Sequence, residues 1–337
     1  MSNPRPLPTT RESREGELTT VLGREKFDQP PNGITDPELL RRWNKFRHDY
    51  HQAHKLNLIP EFPLQIDFEL NAQCNMKCSF CIHGMEKVTP AVLPWESFTK
   101  VIDEGSKYGL TSIKMNYINE PLLVQNLEDH IRYARSKGVL NVYFATNGLL
   151  LTEKRGRSLI EAGVSKIMVS LDATTPETFQ SMRKSTKFNK IVRNVENFIR
   201  LRDSMGLSHP FVRVNFVRTP INAHEEEGFI TRWANIADMI GIQDQVCRPG
   251  QEDDLVVRHD IDEFRCAFPF KLMVVDSSGN ILPCCVFMGR TMPSGNVRDM
   301  SIKEAWDSEG VTNLRKIHQE GNWQQHEACR RCIGGKA

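Results

Sequence analysis

Three cysteines stand together in the run Cys74-Asn75-Met76-Lys77-Cys78-Ser79-Phe80-Cys81. Their spacing, C-x3-C-x2-C, is rarer than C-x2-C and is not a common zinc pattern. Thiolates so spaced can hold three corners of a [4Fe–4S] cluster and leave one iron without a protein ligand. An open iron can bind and reduce a small molecule, which a fully ligated cluster does not readily do. The competing reading is three unrelated core cysteines, because free Cys is a common buried residue.

A second set lies toward the C-terminus: Cys266, Cys284, Cys285, Cys329 and Cys332. Cys266, Cys284, Cys329 and Cys332 make a complete four-thiolate set for a second cluster. The same four suit a structural zinc, since pairs such as Cys329-x2-Cys332 are common in zinc ribbons. Cys285 adjoins Cys284 and can exchange roles with it. In the company of the upstream triad, the iron–sulfur reading is the one adopted. Cys247 falls at the end of the last expected barrel strand. It reads either as a thiol at the barrel mouth able to give up a hydrogen atom or as an inert buried thiol.

These residues need elements to position them. Leu64–Leu70 alternates apolar and polar residues, which predicts a strand, and the cysteine loop follows it directly. Further strands are expected at Ser112–Tyr117, Asn141–Ala145, Lys166–Leu171, Val212–Val217 and Ile242–Val246. The expected helices between them are Trp95–Tyr108, Leu127–Lys137, Glu153–Ala162, Lys190–Met205 and Glu225–Ile240. Gly109, Gly138, Gly163, Gly206 and Gly241 stand where a helix should end and a strand begin, the C′ position. Repeated strand–helix units predict a parallel sheet with right-handed crossovers. Six are too few for a complete eight-stranded barrel, so a partial (β/α)6 barrel is expected. Asp36 and Pro37 read as the N-cap and first position of a short helix before it, and residues 1 to about 34 as a mobile arm. After the barrel, Phe270–Val275 and Asn280–Pro283 flank a good hairpin turn at 276–279. The fold class is therefore α/β: a partial (β/α)6 barrel followed by a small C-terminal β-hairpin and helix iron–sulfur domain. The expected division is 1–60 as arm and helix, 61–250 as barrel, and 251–337 as the auxiliary-cluster domain.

Composition excludes some classes. Lys+Arg 44 against Asp+Glu 42 gives a net charge of +2, which does not suggest a nucleic-acid partner. No apolar run is long enough to span a membrane, and Met1–Leu18 lacks the apolar core of a signal peptide. Nine cysteines in such a chain read as metal ligands in a reducing, cytoplasmic setting rather than as disulfides.

The triad, with Phe80 just before its last cysteine, resembles the radical SAM superfamily signature. The resemblance implies an open iron chelated by S-adenosyl-L-methionine, with one electron, from a donor such as flavodoxin or ferredoxin, cleaving the sulfonium. The 5′-deoxyadenosyl radical so released abstracts a hydrogen atom from a substrate. Ile118-Asn119-Glu120-Pro121 resembles the family's Gly-Gly-Glu-Pro element, with both glycines replaced, and Glu120 matches the acceptor for the cofactor's amino group. Ser170 matches a ribose contact, and Arg183 an arginine that reaches the methionyl carboxylate. Each also has an ordinary reading: a surface Glu before a turn proline, a small packed residue, a surface ion pair. Asn215, polar between Val214 and Phe216, has the parity to face the cofactor. Thr146-Asn147-Gly148 resembles a structural turn at the same place in the family.

Cys266, Gly279 and Cys284 are spaced like the opening of the SPASM extension that follows many radical SAM barrels. A full extension carries two auxiliary clusters; this chain has cysteines for one, as in the shortened, twitch-like form. Residues 1–60 are too short for a separate peptide-recognition domain. The expected activity is therefore oxidation or epimerisation of a carbinol carbon in a sugar or aminocyclitol. Peptide maturation is the alternative, and a non-catalytic zinc-binding module the alternative of another class.

Overall fold

The computed structural model describes residues 18–245 and 264–334. One sheet runs through the molecule. In chain order the elements are β1 (Leu18–Leu22), α1 (Pro37–His54), β2 (Gln65–Phe68), α2 (Ile82–Met85) and α3 (Trp95–Lys107). There follow β3 (Ser112–Lys114), α4 (Leu127–Ser136), β4 (Asn141–Thr146), α5 (Glu153–Ala162) and β5 (Lys166–Ser170). Next come α6 (Pro176–Arg183), α7 (Phe188–Ser204), β6 (Phe211–Arg218), α8 (Glu226–Trp233) and β7 (Met239–Asp244). The C-terminal part holds β8 (Leu272–Val275), β9 (Asn280–Leu282), β10 (Gly295–Asn296), α9 (Ile302–Trp306), α10 (Glu309–Gln319) and α11 (Glu327–Gly334).

The strand order is β1-β7-β6-β5-β4-β3-β2-β8-β9-β10. β2 through β7 are parallel neighbours in sequence order, as repeated strand–helix units require. The expected partial barrel of six parallel strands is therefore present. Its helix-facing side is apolar: Ile66, Phe68, Ile113, Val142, Phe144, Ile167, Val169, Val214 and Phe216 are all fully buried.

The opposite side of these strands is polar. By the two-residue period and the pairing register, Asp67 stands beside Lys114, Lys114 beside Tyr143, Met168 beside Arg213, and Ser170 beside Asn215. This is the concave side, and it explains the alternation seen in Leu64–Leu70. Gln65, Asp67 and Glu69 do not face solvent; they are buried within the barrel.

Three expectations change. Residues 18–22 of the supposed mobile arm form β1, which pairs antiparallel with β7 and covers that edge of the sheet. Helix α8 ends at Trp233, short of the expected Ile240, and the sixth barrel strand begins at Met239. Gly241 is thus inside a strand. A Cβ there would lie 2.2 Å from the Arg213 guanidinium, so the glycine makes room for a buried arginine rather than ending a helix. Gly109, Gly138, Gly163 and Gly206 do have the positive φ of C′ glycines.

The expected hairpin forms, but β8 also pairs in parallel with β2, Gln65 to Leu272 through Phe68 to Val275. The C-terminal part thereby continues the barrel sheet. Glu104 of α3 accepts the backbone N–H groups of Ile302 and Lys303 at 2.9 and 2.8 Å, satisfying free donors at the start of α9. Trp306 is fully buried, donates to the Pro60 carbonyl at 2.8 Å, and lies under the Arg315 guanidinium.

Candidate active site

Cys74 begins the loop that leaves β2. Cys74 and Cys81 are half-buried and Cys78 is buried. Two long-range ties hold the loop: the Ser79 N–H and hydroxyl both donate to the Met182 carbonyl, at 2.9 and 3.1 Å. Gly84 packs on it from the other side, and a Cβ there would lie 2.1 Å from the Cys78 carbonyl oxygen.

Arg183, next to Met182 at the end of α6, is buried and turned toward this loop. It pairs with Asp172, donates to the Cys78 sulfur at 3.7 Å, and lies over the Phe80 ring. Burial opposes its charge, but Asp172 and the Cys78 thiol hold the guanidinium firmly protonated. The ordinary reading of Arg183 as a surface ion pair is thus replaced by a buried pair at the cysteine loop. Asp172 was not singled out from sequence. It has φ 62, a conformation Asp tolerates better than most residues, and also accepts from the Val217 N–H at 2.7 Å.

Glu120 is buried at the end of the loop after β3. Its Oε1 accepts from the Leu122 N–H and the Thr146 hydroxyl, at 3.0 and 2.6 Å, and its Oε2 from the Asn147 N–H at 2.8 Å. It is not a surface residue, and Oε2 retains capacity for another donor. Burial raises its pKa, while these donors pull the other way. Thr146 and Asn147 therefore do more than turn the chain: Asn147 also donates to Asn75, inside the cysteine loop, at 2.7 Å. Asn119, in place of the second glycine, donates to Asn71 at 3.0 Å and ties the ends of β2 and β3 together. Ser170, the last residue of β5, stands beside Asn215 in the middle of β6 on the concave side, and Asn215 Oδ1 is buried with no hydrogen-bond partner. Phe80, Glu120 and Arg183 thus border one region with the three cysteines. Ser170 and Asn215 share the concave face as paired neighbours.

The second cysteine set is assembled around the hairpin and the last helices. β9 runs antiparallel to β8 and so heads back toward the N-terminal end of β2 before Cys284 and Cys285. Cys284 has Cys285, Cys266 and Cys332 as electrostatic neighbours, and Cys329 has Cys266. Burial pushes Cys329 up to about 12 and raises Cys284 well above the ordinary thiol value. Cys285 packs with Tyr117, Leu272, Val274 and Leu282, and its nearest charges are Asp67 and Lys114. It thus stands between the polar barrel residues and Cys266, whereas the electrostatic neighbours of Cys284 are all cysteines. Gly289 repeats the arrangement of Gly84: a Cβ there would lie 2.4 Å from the Cys284 carbonyl oxygen. His318, on α10 and fully buried, lies against Cys266 and Cys329 and was not anticipated, because a lone histidine in an amphipathic helix gives no signal of such contacts. Cys247 lies outside the described residues.

The donor chemistry suits iron–sulfur clusters. The described cysteines are free thiols. Cys74 is pushed up to about 12 by burial, with Cys78 and Cys81 adding to the effect. Such thiols release their protons readily only when a cation such as a metal centre binds and stabilises the thiolate. Among the described residues, no group of three His, Cys, Asp or Glu side chains is drawn together as a site for a single metal ion. Also among the described residues, no helix is long and apolar enough to cross a membrane.

Known proteins agree with this arrangement. The radical SAM superfamily model matches residues 69–208, and that of the SPASM iron-sulfur cluster-binding domain matches 266–333. The S-adenosyl-L-methionine-dependent 2-deoxy-scyllo-inosamine dehydrogenase of Niallia circulans is 23% identical over 281 residues, 79% of this chain and 91% of that one. The crystal structure of BtrN in complex with AdoMet and 2-DOIA has a TM-score of 0.55 at 21% identity, covering 81% of this chain and 94% of that one. Native anSMEcpe with bound AdoMet has a TM-score of 0.59 at 15% identity, covering 81% and 89%. With its cysteine loop, parallel barrel and cysteine-rich C-terminal part, the chain is a radical SAM enzyme with a SPASM-type extension, built for S-adenosylmethionine, its [4Fe–4S] cluster and an auxiliary cluster.

Proposed function

We propose that the enzyme oxidises a carbinol carbon of an aminocyclitol or related sugar to a ketone. The observation that carries this reading is the common border of the two cysteine sets: both adjoin one polar barrel interior, Cys74 beyond the C-terminal end of β2 and Cys285 beside Asp67 and Lys114. A hydroxylated, amine-bearing ring suits a concave face that carries Asp67, Lys114, Tyr143 and Asn215, because each offers a hydrogen bond that an apolar barrel would lack. The match to a 2-deoxy-scyllo-inosamine dehydrogenase along 91% of its length supports the substrate class.

Cys74, Cys78 and Cys81 would hold the first cluster, which when bound supplies the electron that cleaves S-adenosylmethionine. Cys266, Cys284, Cys329 and Cys332 would hold the auxiliary cluster, an acceptor for the second electron of the oxidation. Glu120 Oε2 would accept from the cofactor's ammonium, a charge-assisted bond. Arg183 would present a fixed cation to its carboxylate, with Asp172 orienting the guanidinium. Ser170 and Asn215 would face the ribose, and Phe80, beneath Arg183, would wall the site. Asp67 and Glu69, whose pKa values burial raises, are the bases on the concave side available for the hydroxyl proton. Reduced flavodoxin or ferredoxin serves as the donor.

The test is anaerobic turnover of the reconstituted enzyme with 2-deoxy-scyllo-inosamine and related aminocyclitols in deuterated water. Dehydrogenation gives a product lighter by two hydrogens and one 5′-deoxyadenosine per ketone. Deuterium gained at carbon would instead establish epimerisation by a thiol, with Cys247 the candidate. Turnover of a peptide and of no aminocyclitol would overturn the substrate class.

A further inference from the structure

His318 is held at both ring nitrogens. The backbone N–H of Cys266 donates to Nδ1 at 3.2 Å, and Nε2 lies 3.5 Å from the Cys329 sulfur. The ring is completely buried, on the helix that precedes the Cys329 pair. A backbone N–H can only donate, so Nδ1 must carry the lone pair. The proton of the neutral ring is then on Nε2, aimed at sulfur. One imidazole therefore bridges two cysteines that lie far apart in sequence and fixes its own tautomer in doing so.

We infer that His318 tunes the auxiliary cluster by an N–H···S hydrogen bond to Cys329, making it a readier electron acceptor. This rests on the reading that Cys266, Cys284, Cys329 and Cys332 hold that cluster. Hydrogen bonds to cluster sulfurs withdraw electron density and are among the main determinants of reduction potential. A ring donor buried from water keeps its full strength, because no solvent competes for the sulfur. His318 is a positioning residue: it acts through Cys329 and touches no substrate. Among the described residues, the side-chain N–H···S contact to the N-terminal cysteines comes from a charged group, Arg183 on Cys78, rather than from a neutral ring.

The experiment uses full-length protein reconstituted anaerobically, with the potential of each cluster followed by EPR-monitored redox titration. Two clusters in the wild type, about eight irons per chain, establish the underlying reading; a single cluster would remove that reading, not the role of the histidine alone. His318→Gln keeps an N–H near the position of Nε2, whereas His318→Asn keeps an acceptor near Nδ1 and loses the donor. The auxiliary potential should move negative in His318→Asn and stay close to wild type in His318→Gln, with the N-terminal cluster unmoved in both. An unshifted His318→Asn, equal shifts in the two variants, or loss of the auxiliary cluster from both would overturn the inference.

Discussion

The N-terminal cysteines occupy a single loop, Cys74 to Cys81, whereas the C-terminal ones come from segments as distant as Cys266 and Cys332. The loop is held from outside by Met182, Arg183 and Asn147, and its electrostatic neighbour is a cation paired to Asp172. The C-terminal set has a neutral imidazole as its neighbour. Both share one device, a glycine pressed onto a cysteine carbonyl, Gly84 at Cys78 and Gly289 at Cys284. A compact motif needs an imposed environment to become a site. A dispersed set needs the fold to exist before it is a set at all. The cation suits a site that receives a carboxylate, and the neutral, enclosed setting one that exchanges only electrons.

The largest effects should come from the cysteines. Cys78→Ala should reduce 5′-deoxyadenosine formation to background, while Cys329→Ala should retain it and lose only ketone formation. Each should lower iron by about four per chain. Equal loss of cleavage in both variants would erase the functional distinction between the two regions.

Gly84→Ala and Gly289→Ala come next. A methyl group so close to a carbonyl oxygen forces backbone movement, and overpacking of this kind costs about 1–3 kcal/mol. Site-resolved Mössbauer or EPR spectra should show each variant depleted at its own cluster. Depletion at the other cluster would mean that the glycines serve the fold generally.

Asp172→Asn leaves Arg183 charged and buried without its partner, which should cost about 3–5 kcal/mol in urea unfolding and raise KM for S-adenosylmethionine. An unchanged KM would separate Arg183 from cofactor binding.

The smallest effect is a pH slope. Burial raises the pKa of Asp67, so the folded state holds its proton more tightly than the unfolded chain. That contribution is complete below the ordinary value of 3.8 and is lost as pH rises through the raised one. Asp67→Asn should flatten the stability profile in that window; a slope equal to the wild type would assign it elsewhere.

Much of the architecture was legible because it is local. The Asp36 cap accepts from Glu38 and Leu39, as its type and position imply, and α5 spans the residues its periodicity marks. β1 was missed because an edge strand of mixed composition is specified by its partner β7 rather than by its own pattern. Gly241 was misread because helix ends and close approaches use the same residue for different reasons. Asp172, Asn75 and His318 were invisible as partners, since each meets its contact only through the tertiary fold.

The cysteine spacing, the strand–helix alternation and the turn residues depend on neighbours within a few positions, so the sequence alone determined the radical SAM character and the partial barrel. Which face of β2 looks inward, how β8 joins it, and which imidazole meets the Cys329 sulfur were decided only in three dimensions. Burial and long-range pairing set the surroundings of a charge or a sulfur, and neither quantity exists until the chain has closed on itself.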